Sequence, residues 1–126
     1  MHQPLKTLSG RRILIVEDEY YLADDLARAL RAEQADVIGP VATLDDAEAA
    51  AAGGDFDLAV IDINLRGDMA FSVSDRLMRD GIPFVIATGY DSESLPARFA
   101  DVPRIEKPYD SPRVLDQLAH LVEHAR

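Results

Sequence analysis

An α/β domain built on one parallel sheet, with helices on both faces, is predicted by three observations. Short apolar runs such as Ile13-Leu14-Ile15-Val16 and Leu58-Ala59-Val60-Ile61 are continuous rather than alternating, as strands buried on both faces are. Between these runs lie stretches with helical spacing, so strand and helix take turns along the chain. Several of the runs also stop abruptly at a residue with chemistry to offer: Glu17-Asp18, Asp62, Thr88 and Lys107.

Length and composition agree with one such domain. The chain has 126 residues, near the modal domain size. Its 48% hydrophobic and 29% charged residues suit a globular fold, neither disordered nor membrane-like. The formal net charge of −10 repels phosphate backbones, so nucleic acid is not an expected partner. With no cysteine, disulfides, thiolate catalysis and Cys-ligated metals are excluded. No apolar run approaches the ~18 residues of a membrane span, and Met1 to Arg12 lacks a signal-peptide segment. A soluble, cytoplasmic domain without membrane contact is expected.

Residues 1–10 read as a short N-terminal tail, and 11–126 as the domain. The first strand is Ile13–Val16. From Tyr20 to about Ala32, Leu22, Leu26 and Leu30 recur at i+4, giving the first helix. Asp36–Val41 is a second strand, and Pro40 assigns it to a sheet edge or ends it there. Thr43 is placed to cap a helix over 44–52 that Gly53-Gly54 terminates. Phe56 to Ile63 holds the third strand. A helix follows from about Phe71 to Arg79, with Val73 and Leu77 on one face and Gly81 after it. Pro83–Ala87 is the fourth strand, closing at Thr88-Gly89. Only about Leu95 to Ala100 is open to a fourth helix, with Ser94 as cap and Pro96 in its first turn. Val102 to Glu106 makes a fifth strand, and Ser111-Pro112 opens a last helix whose Val114, Leu115, Leu118, Leu121 and Val122 face the core. There is no internal repeat or linker. The first, third and fourth strands are the most apolar and are expected at the centre. With the proline-bearing second strand at an edge, the order becomes 2-1-3-4-5, a flavodoxin-like (βα)5 doubly wound parallel five-stranded sheet. Ligands of such sheets bind beyond the carboxyl ends of the strands, where the winding reverses.

That edge would gather Glu17, Asp18, Asp62, Thr88 and Lys107. At ~4 Å and an effective dielectric near 20, each like-charged pair costs about 4 kcal/mol, so positive charge must offset three carboxylates. Lys107 supplies one charge; a divalent cation is the natural source of the rest. All-oxygen ligation selects Mg²⁺, which keeps waters and leaves room for phosphate oxygens. A carboxylate, a hard cation, an ammonium and a hydroxyl make a phosphoryl-transfer constellation: the carboxylate attacks phosphorus, metal and lysine neutralise charge, and the hydroxyl positions an oxygen. Asn64, two residues past Asp62, can lend its backbone carbonyl to the metal. Gly89 keeps the approach to Asp62 open and can lend an N–H to an anion.

Plainer readings exist for each residue alone. Acids are favoured before a helix by its dipole, Asp62 suits a turn, Thr88 is a good strand former, and Gly89 is an ordinary turn glycine. Lys107 is more telling, because only it and Lys6 among 13 basic residues are lysine. The conjunction at four separate strand ends carries the functional reading. His120 and His124 lack a third ligand and read as a solvated helix end; Asp24-Asp25 and Asp45-Asp46 read as a solvated face and a helix first turn.

Together the stretches Ile13-Leu14-Ile15-Val16-Glu17-Asp18-Glu19, Val60-Ile61-Asp62-Ile63-Asn64, Ala87-Thr88-Gly89 and Glu106-Lys107-Pro108-Tyr109 resemble a response-regulator receiver domain of two-component signalling, over about Arg11 to Glu123. The resemblance implies that Asp62 accepts a phosphoryl group from a phosphohistidine of a sensor histidine kinase or histidine phosphotransfer protein. It implies Mg²⁺ held by Glu17, Asp18, Asp62 and the Asn64 carbonyl, Thr88 and Lys107 on the phosphoryl oxygens, and a cis Lys107–Pro108 bond. There are departures. Arg104 stands where most receivers carry a switch Tyr or Phe, and Arg66-Gly67 where most have proline. Phe84-Val85-Ile86-Ala87-Thr88-Gly89-Tyr90 is similar to a stand-alone subgroup with a Phe-Ala-Thr-Gly-Tyr-like signature, with Ile86 in place of its leading Phe. Tyr90 is therefore a candidate switch or water gate, with a plain surface tyrosine as the alternative.

The expectation is a single-domain response regulator, not an enzyme beyond self-phosphotransfer and autodephosphorylation. Its output would be a partner protein, or a second copy, at the face of the short fourth helix, fifth strand and last helix, where Arg98, Arg104 and Arg113 are candidates; the alternative output is phosphate drainage. Three rivals stay open. A Mg²⁺-dependent phosphatase-like module of the Asp-x-Asp type wants a second acid where Asn64 stands. A nucleotide binder wants an anion loop where Glu17-Asp18-Glu19 stands. A receiver-like domain that signals without phosphorylation would not need the acidic set.

Overall fold

The computed structural model describes residues 7–89 and 95–124. Strand β1 (Arg12–Val16) is followed by α1 (Tyr20–Ala32), β2 (Asp36–Val41), α2 (Leu44–Gly53) and β3 (Leu58–Asp62). A small hairpin, β4 (Asn64–Leu65) and β5 (Asp68–Met69), precedes α3 (Phe71–Arg79) and β6 (Phe84–Thr88). A 3-10 turn (Ala97–Phe99), β7 (Arg104–Glu106) and α4 (Ser111–His124) follow. The main sheet has the order β2-β1-β3-β6-β7 with every neighbouring pair parallel. This is the flavodoxin-like 2-1-3-4-5 arrangement expected from the sequence, with the hairpin lying outside it.

The sheet separates two cores. On one side Ile13, Ile15, Val60, Val85 and Ala87 pack against Leu26 and Leu30 of α1 and Val114 and Leu118 of α4. On the other, Leu14, Val16, Ala59, Ile61 and Ile86 pack against Ala47 and Ala51 of α2, Val73 and Leu77 of α3, and Phe99. Because successive strand residues face opposite sides, a continuous apolar run feeds both layers at once, and every residue of β3 and β6 is buried.

Local signals set the element ends. The Thr43 hydroxyl accepts from the Asp46 N–H at 3.1 Å, and Gly54 (φ +65°) closes α2 in the left-handed region. At the sheet edge, Gly39 (φ +91°) sits where the β1–β2 register slips; a Cβ there would lie 2.7 Å from the Val41 nitrogen, so only glycine fits.

Four features differ from the sequence expectation. The short fourth helix is a single 3-10 turn in the described residues, because Pro96 is extended (ψ 146°) and leaves only Ala97–Phe99 to coil; Ser94 lies outside the described residues. The fifth strand starts at Arg104 rather than Val102, since Pro103 offers only its carbonyl, which accepts from the Ile86 N–H at 2.9 Å. Leu8, read as tail, is fully buried in the α1/α4 core, and the Gly10 N–H donates to the Gln34 carbonyl at 2.9 Å. The hairpin after Asp62 was not expected, and it bears on the site. Among the described residues no helix is long and apolar enough to cross a membrane.

Candidate acidic phosphoryl-transfer site

Sheet register explains which side chains meet. Val16 pairs with Ile61, and Asp62 with Ala87, so the ends of β1, β3 and β6 are level. Counting in steps of two, Glu17 continues the Ile13–Ile15 column, Asp62 the Leu58–Val60 column, and Lys107 follows Ile105, all on the α1/α4 side. The three side chains converge accordingly. The Lys107 ammonium donates to Glu17 Oε2 at 2.7 Å and to Asp62 Oδ2 at 2.9 Å, and lies 3.6 Å from Asp18 Oδ1. Glu17 and Asp62 are each only 2% exposed. Thr88 lies one step beyond the Asp62–Ala87 pair; its side chain is buried and its carbonyl accepts from the Lys107 N–H at 2.8 Å. The Lys107–Pro108 peptide is cis, as expected.

Backbone groups hold the carboxylates in place. The Glu19 N–H, one of the unpaired donors where α1 starts, points at Glu17 Oε2 at 3.1 Å. The Asn64 N–H donates to Asp62 Oδ1 at 3.1 Å, while its side-chain oxygen accepts from the Gly67 N–H at 2.6 Å. Two residues near the cluster were not singled out for the site by the sequence. The Tyr109 hydroxyl, buried behind Lys107, donates to Glu17 Oε1 at 3.0 Å. The Arg66 guanidinium reaches Asp18, Nε to Oδ2 3.8 Å. Tyr109 belongs to the motif stretch, but its partner lies 92 residues away and no local pattern announces it. Arg66 stood out only as a departure from proline.

Electrostatics follow from this crowding. Burial, then the hydrogen bond with Asp18 and the charge of Glu17, push the Asp62 carboxyl up to about 8 against the pull of Lys107. For Asp18 burial works upward, but hydrogen bonds from Asp62 and the Lys107 charge outweigh it and hold the group below its usual value. Burial opposes the Lys107 charge, yet Glu17 and Asp62 raise its pKa above the ordinary lysine range. The Tyr109 phenol is raised by burial and then by the Glu17 charge. This crowding disfavours the charged form of Asp62 unless further positive charge enters the site.

Oxygens of Glu17, Asp18 and Asp62 lie within 4.8 Å of one another, a hard, all-oxygen set that fits a divalent cation such as Mg²⁺. Asp18 and Asp62 open on a cleft of about 550 Å³, lined also by Asn64, Arg66, Gly89 and Lys107. Asn64 leaves the Asp-x-Asp pattern without its second acid. Tyr90 lies outside the described residues. His120 and His124 stack at 4.0 Å on the exposed end of α4, with no third metal ligand beside them among the described residues. Asp25 departs from a purely solvated face: it accepts from the Ser111 hydroxyl at 2.6 Å and ties α1 to α4.

No family model matches the chain. Among curated proteins it is similar to the transcriptional regulatory protein TcrA of Mycobacterium tuberculosis, 44% identical over 75 residues that make up 60% of this chain and 29% of the relative. The chain therefore spans less than a third of the length of that relative. Among solved structures, SdrG of Sphingomonas melonis is 37% identical with a TM-score of 0.78, covering 94% of this chain and 99% of that one. The BeF₃-activated conformation of SdrG, from Pseudomonas melonis, matches at a TM-score of 0.72 with 37% identity, over 90% of this chain and 98% of that one. A CheY-like response regulator receiver domain protein of Methanospirillum hungatei is 25% identical with a TM-score of 0.77, covering 93% of this chain and 97% of that one.

Proposed function

The chain belongs to the response-regulator receiver domains, and from that premise we propose that Asp62 accepts a phosphoryl group from a phosphohistidine of a sensor kinase or phosphotransfer protein. The observation that carries the reading is a lysine ammonium 2.9 Å from a buried aspartate at a central strand end, with two further carboxylates within 4.8 Å. A buried structural ion pair needs one acid, not three. The BeF₃-activated state of SdrG, in which beryllofluoride stands for a phosphoryl group, supports the same reading.

In this mechanism a carboxylate oxygen of Asp62 attacks phosphorus, an O–P bond forms, the histidine N–P bond breaks, and the ring nitrogen takes a proton from solvent. The Asn64 N–H and Lys107 fix the orientation of the nucleophile, so little entropy is lost at the moment of reaction. Lys107 moves its donors from Glu17 and Asp62 onto the phosphoryl oxygens, assisted by Thr88 and the Gly89 N–H. Glu17, Asp18, Asp62 and the Asn64 carbonyl would hold Mg²⁺, which when bound would supply positive charge to the transferring phosphoryl group. Tyr109 keeps Glu17 turned toward Lys107.

Output follows from whatever binds the phosphorylated form differently. The face made by the 3-10 turn, β7 and α4 offers Arg104 and Arg113, both exposed, to a partner protein or a second copy. Arg98 is committed elsewhere, through two hydrogen bonds to Asp75 of α3 at 2.6 and 3.0 Å. Drainage of phosphate from a relay is the output that needs no partner surface.

Incubation with a small-molecule phosphodonor and Mg²⁺, read by intact mass, tests the central step. One added phosphoryl group is expected, absent in Asp62→Asn and absent when the metal is chelated. An unmodified mass for the unaltered chain, or modification persisting in Asp62→Asn, overturns the assignment.

A further inference from the structure

We propose that Arg66 is a second phosphoryl-contacting cation of the Asp62 cleft, a role that rests on the phospho-acceptor reading and adds a residue to it. Its position is built into the fold. The hairpin turn Leu65-Arg66-Gly67-Asp68 has positive φ at both central residues, +55° and +97°, the signature of a two-residue turn that favours Asn, Asp or Gly. An arginine there occupies backbone space that suits it poorly, and residues held in such conformations concentrate at functional sites.

The turn is also wired to the acceptor. The Asn64 N–H donates to Asp62 Oδ1, the Asn64 side chain accepts from the Gly67 N–H at 2.6 Å, and the Ala70 N–H closes on the Ile63 carbonyl at 2.8 Å. Arg66 is therefore carried on a short, hydrogen-bonded arm that begins at Asp62, and its side chain lines the same cleft as Asp62 and Lys107.

Charge says what the guanidinium is for. Lys107 is held by Glu17 and Asp62 before a ligand arrives, and its single ammonium offers a phosphoryl group a point charge, not a planar fork. The Arg66 contact with Asp18, 3.8 Å from Nε to Oδ2, is longer than a hydrogen bond, and the side chain is 81% exposed. Asp18 has Lys107 at 3.6 Å on its other oxygen, so it does not depend on Arg66 for a counter-charge. When a divalent cation engages Asp18, the guanidinium loses its claim on that carboxylate. Its planar fork of donors, mounted at the mouth, then suits the oxygens of an incoming phosphoryl group better than an ammonium does.

Beryllofluoride binding at saturating Mg²⁺, measured by calorimetry, tests this without relying on phosphotransfer. Arg66→Asn removes the charge while suiting the turn, so folding is kept; Arg66→Lys keeps the charge without the fork. The expected result is a roughly fivefold loss of BeF₃⁻ affinity in Arg66→Asn, the size of one solvent-screened ion pair, with partial recovery in Arg66→Lys. Mg²⁺ affinity measured alone should stay the same or rise, and added salt should weaken BeF₃⁻ binding more in the unaltered chain than in Arg66→Asn. Unchanged BeF₃⁻ affinity in Arg66→Asn overturns the proposal, as does a weakening fully accounted for by lost Mg²⁺ affinity. If the unaltered chain itself fails to bind BeF₃⁻ with Mg²⁺, the phospho-acceptor reading falls first, and Arg66 with it.

Discussion

Lys107 and Arg66 stand at the same cleft, carry the same charge and face overlapping acids, yet they are different kinds of contact. Lys107 is 14% exposed, bonded at 2.7 and 2.9 Å to two carboxylates that are themselves buried. Arg66 reaches a single acid at 3.8 Å from open solvent. Removing one partner of a buried pair strands the others in a medium that solvates them poorly; removing a surface partner leaves water to take its place. The first cation is thus part of the fold as well as of the chemistry, and the second is free to answer to what enters the cleft.

The sharpest way to break that contrast is to delete each cation and measure unfolding in denaturant without metal. Lys107→Met keeps the apolar stem but leaves Glu17 buried without its cation, and should cost about 3 kcal/mol or more at pH 8. Arg66→Asn should stay within about 0.5 kcal/mol. The Lys107→Met deficit should shrink on adding Mg²⁺ at pH 8. Equal costs for the two variants would dissolve the distinction between buried and exposed charge on which it rests.

A second effect is set by the proton on Asp62. Its folded, metal-free carboxyl is raised to about 8 from an ordinary 3.8. The folded chain therefore keeps a proton across this window that the unfolded chain has released. Its contribution to metal-free stability is greatest at low pH and is lost as pH rises toward 8. A cation must displace that proton, so Mg²⁺ affinity should climb by up to about tenfold per pH unit between 6 and 8 and flatten above. Calorimetry in buffers of different ionisation enthalpy reads the released proton directly. Arg66→Asn should leave this profile where it is, whereas Lys107→Met, which removes a charge favouring the ionised carboxylate, should move it to higher pH.

The same contrast sorts what the sequence could tell. Glu17, Asp62 and Lys107 were legible because short apolar runs mark where β1, β3 and β7 stop, and a parallel sheet lays those ends side by side. Sheet order was legible from Pro40 and from the apolarity of three runs. The hairpin was not: two-residue strands have no period, and Asn64-Leu65-Arg66-Gly67 holds turn residues in Asn64 and Gly67 without the adjacent Asn-Gly or Asp-Gly pair of a hairpin. The apolar residues of Leu95–Ala100 suit a fourth helix, but the extended backbone at Pro96 leaves room for one turn. Leu8 carries no signal of its burial, because it stands beside Ser9-Gly10 outside any strand or helix pattern. Buried partners far apart in sequence, such as Tyr109 with Glu17 or Ser111 with Asp25, emerge only from the tertiary fold.

Tyr109 supplies the subtlest test, because it separates rigidity from charge. Its hydroxyl meets Glu17 Oε1, while Oε2 already takes Lys107 and the Glu19 N–H. Tyr109→Phe changes no net charge and keeps the ring in the core, but leaves one buried carboxylate oxygen without its donor. A hydrogen bond to a charged group is worth about 1.5–3 kcal/mol, so a loss of about 1.5 kcal/mol is expected, below that of Lys107→Met. If Tyr109 acts by holding Glu17 toward Lys107, Tyr109→Phe should also raise the Asp62 pKa slightly, because a loosened Glu17 draws Lys107 away from Asp62. A stability loss without that shift would make the phenol a core residue with a satisfied hydroxyl. A shift would make the back wall of the cleft part of how Asp62 is prepared, which the exposed side, where Arg66 sits, cannot do.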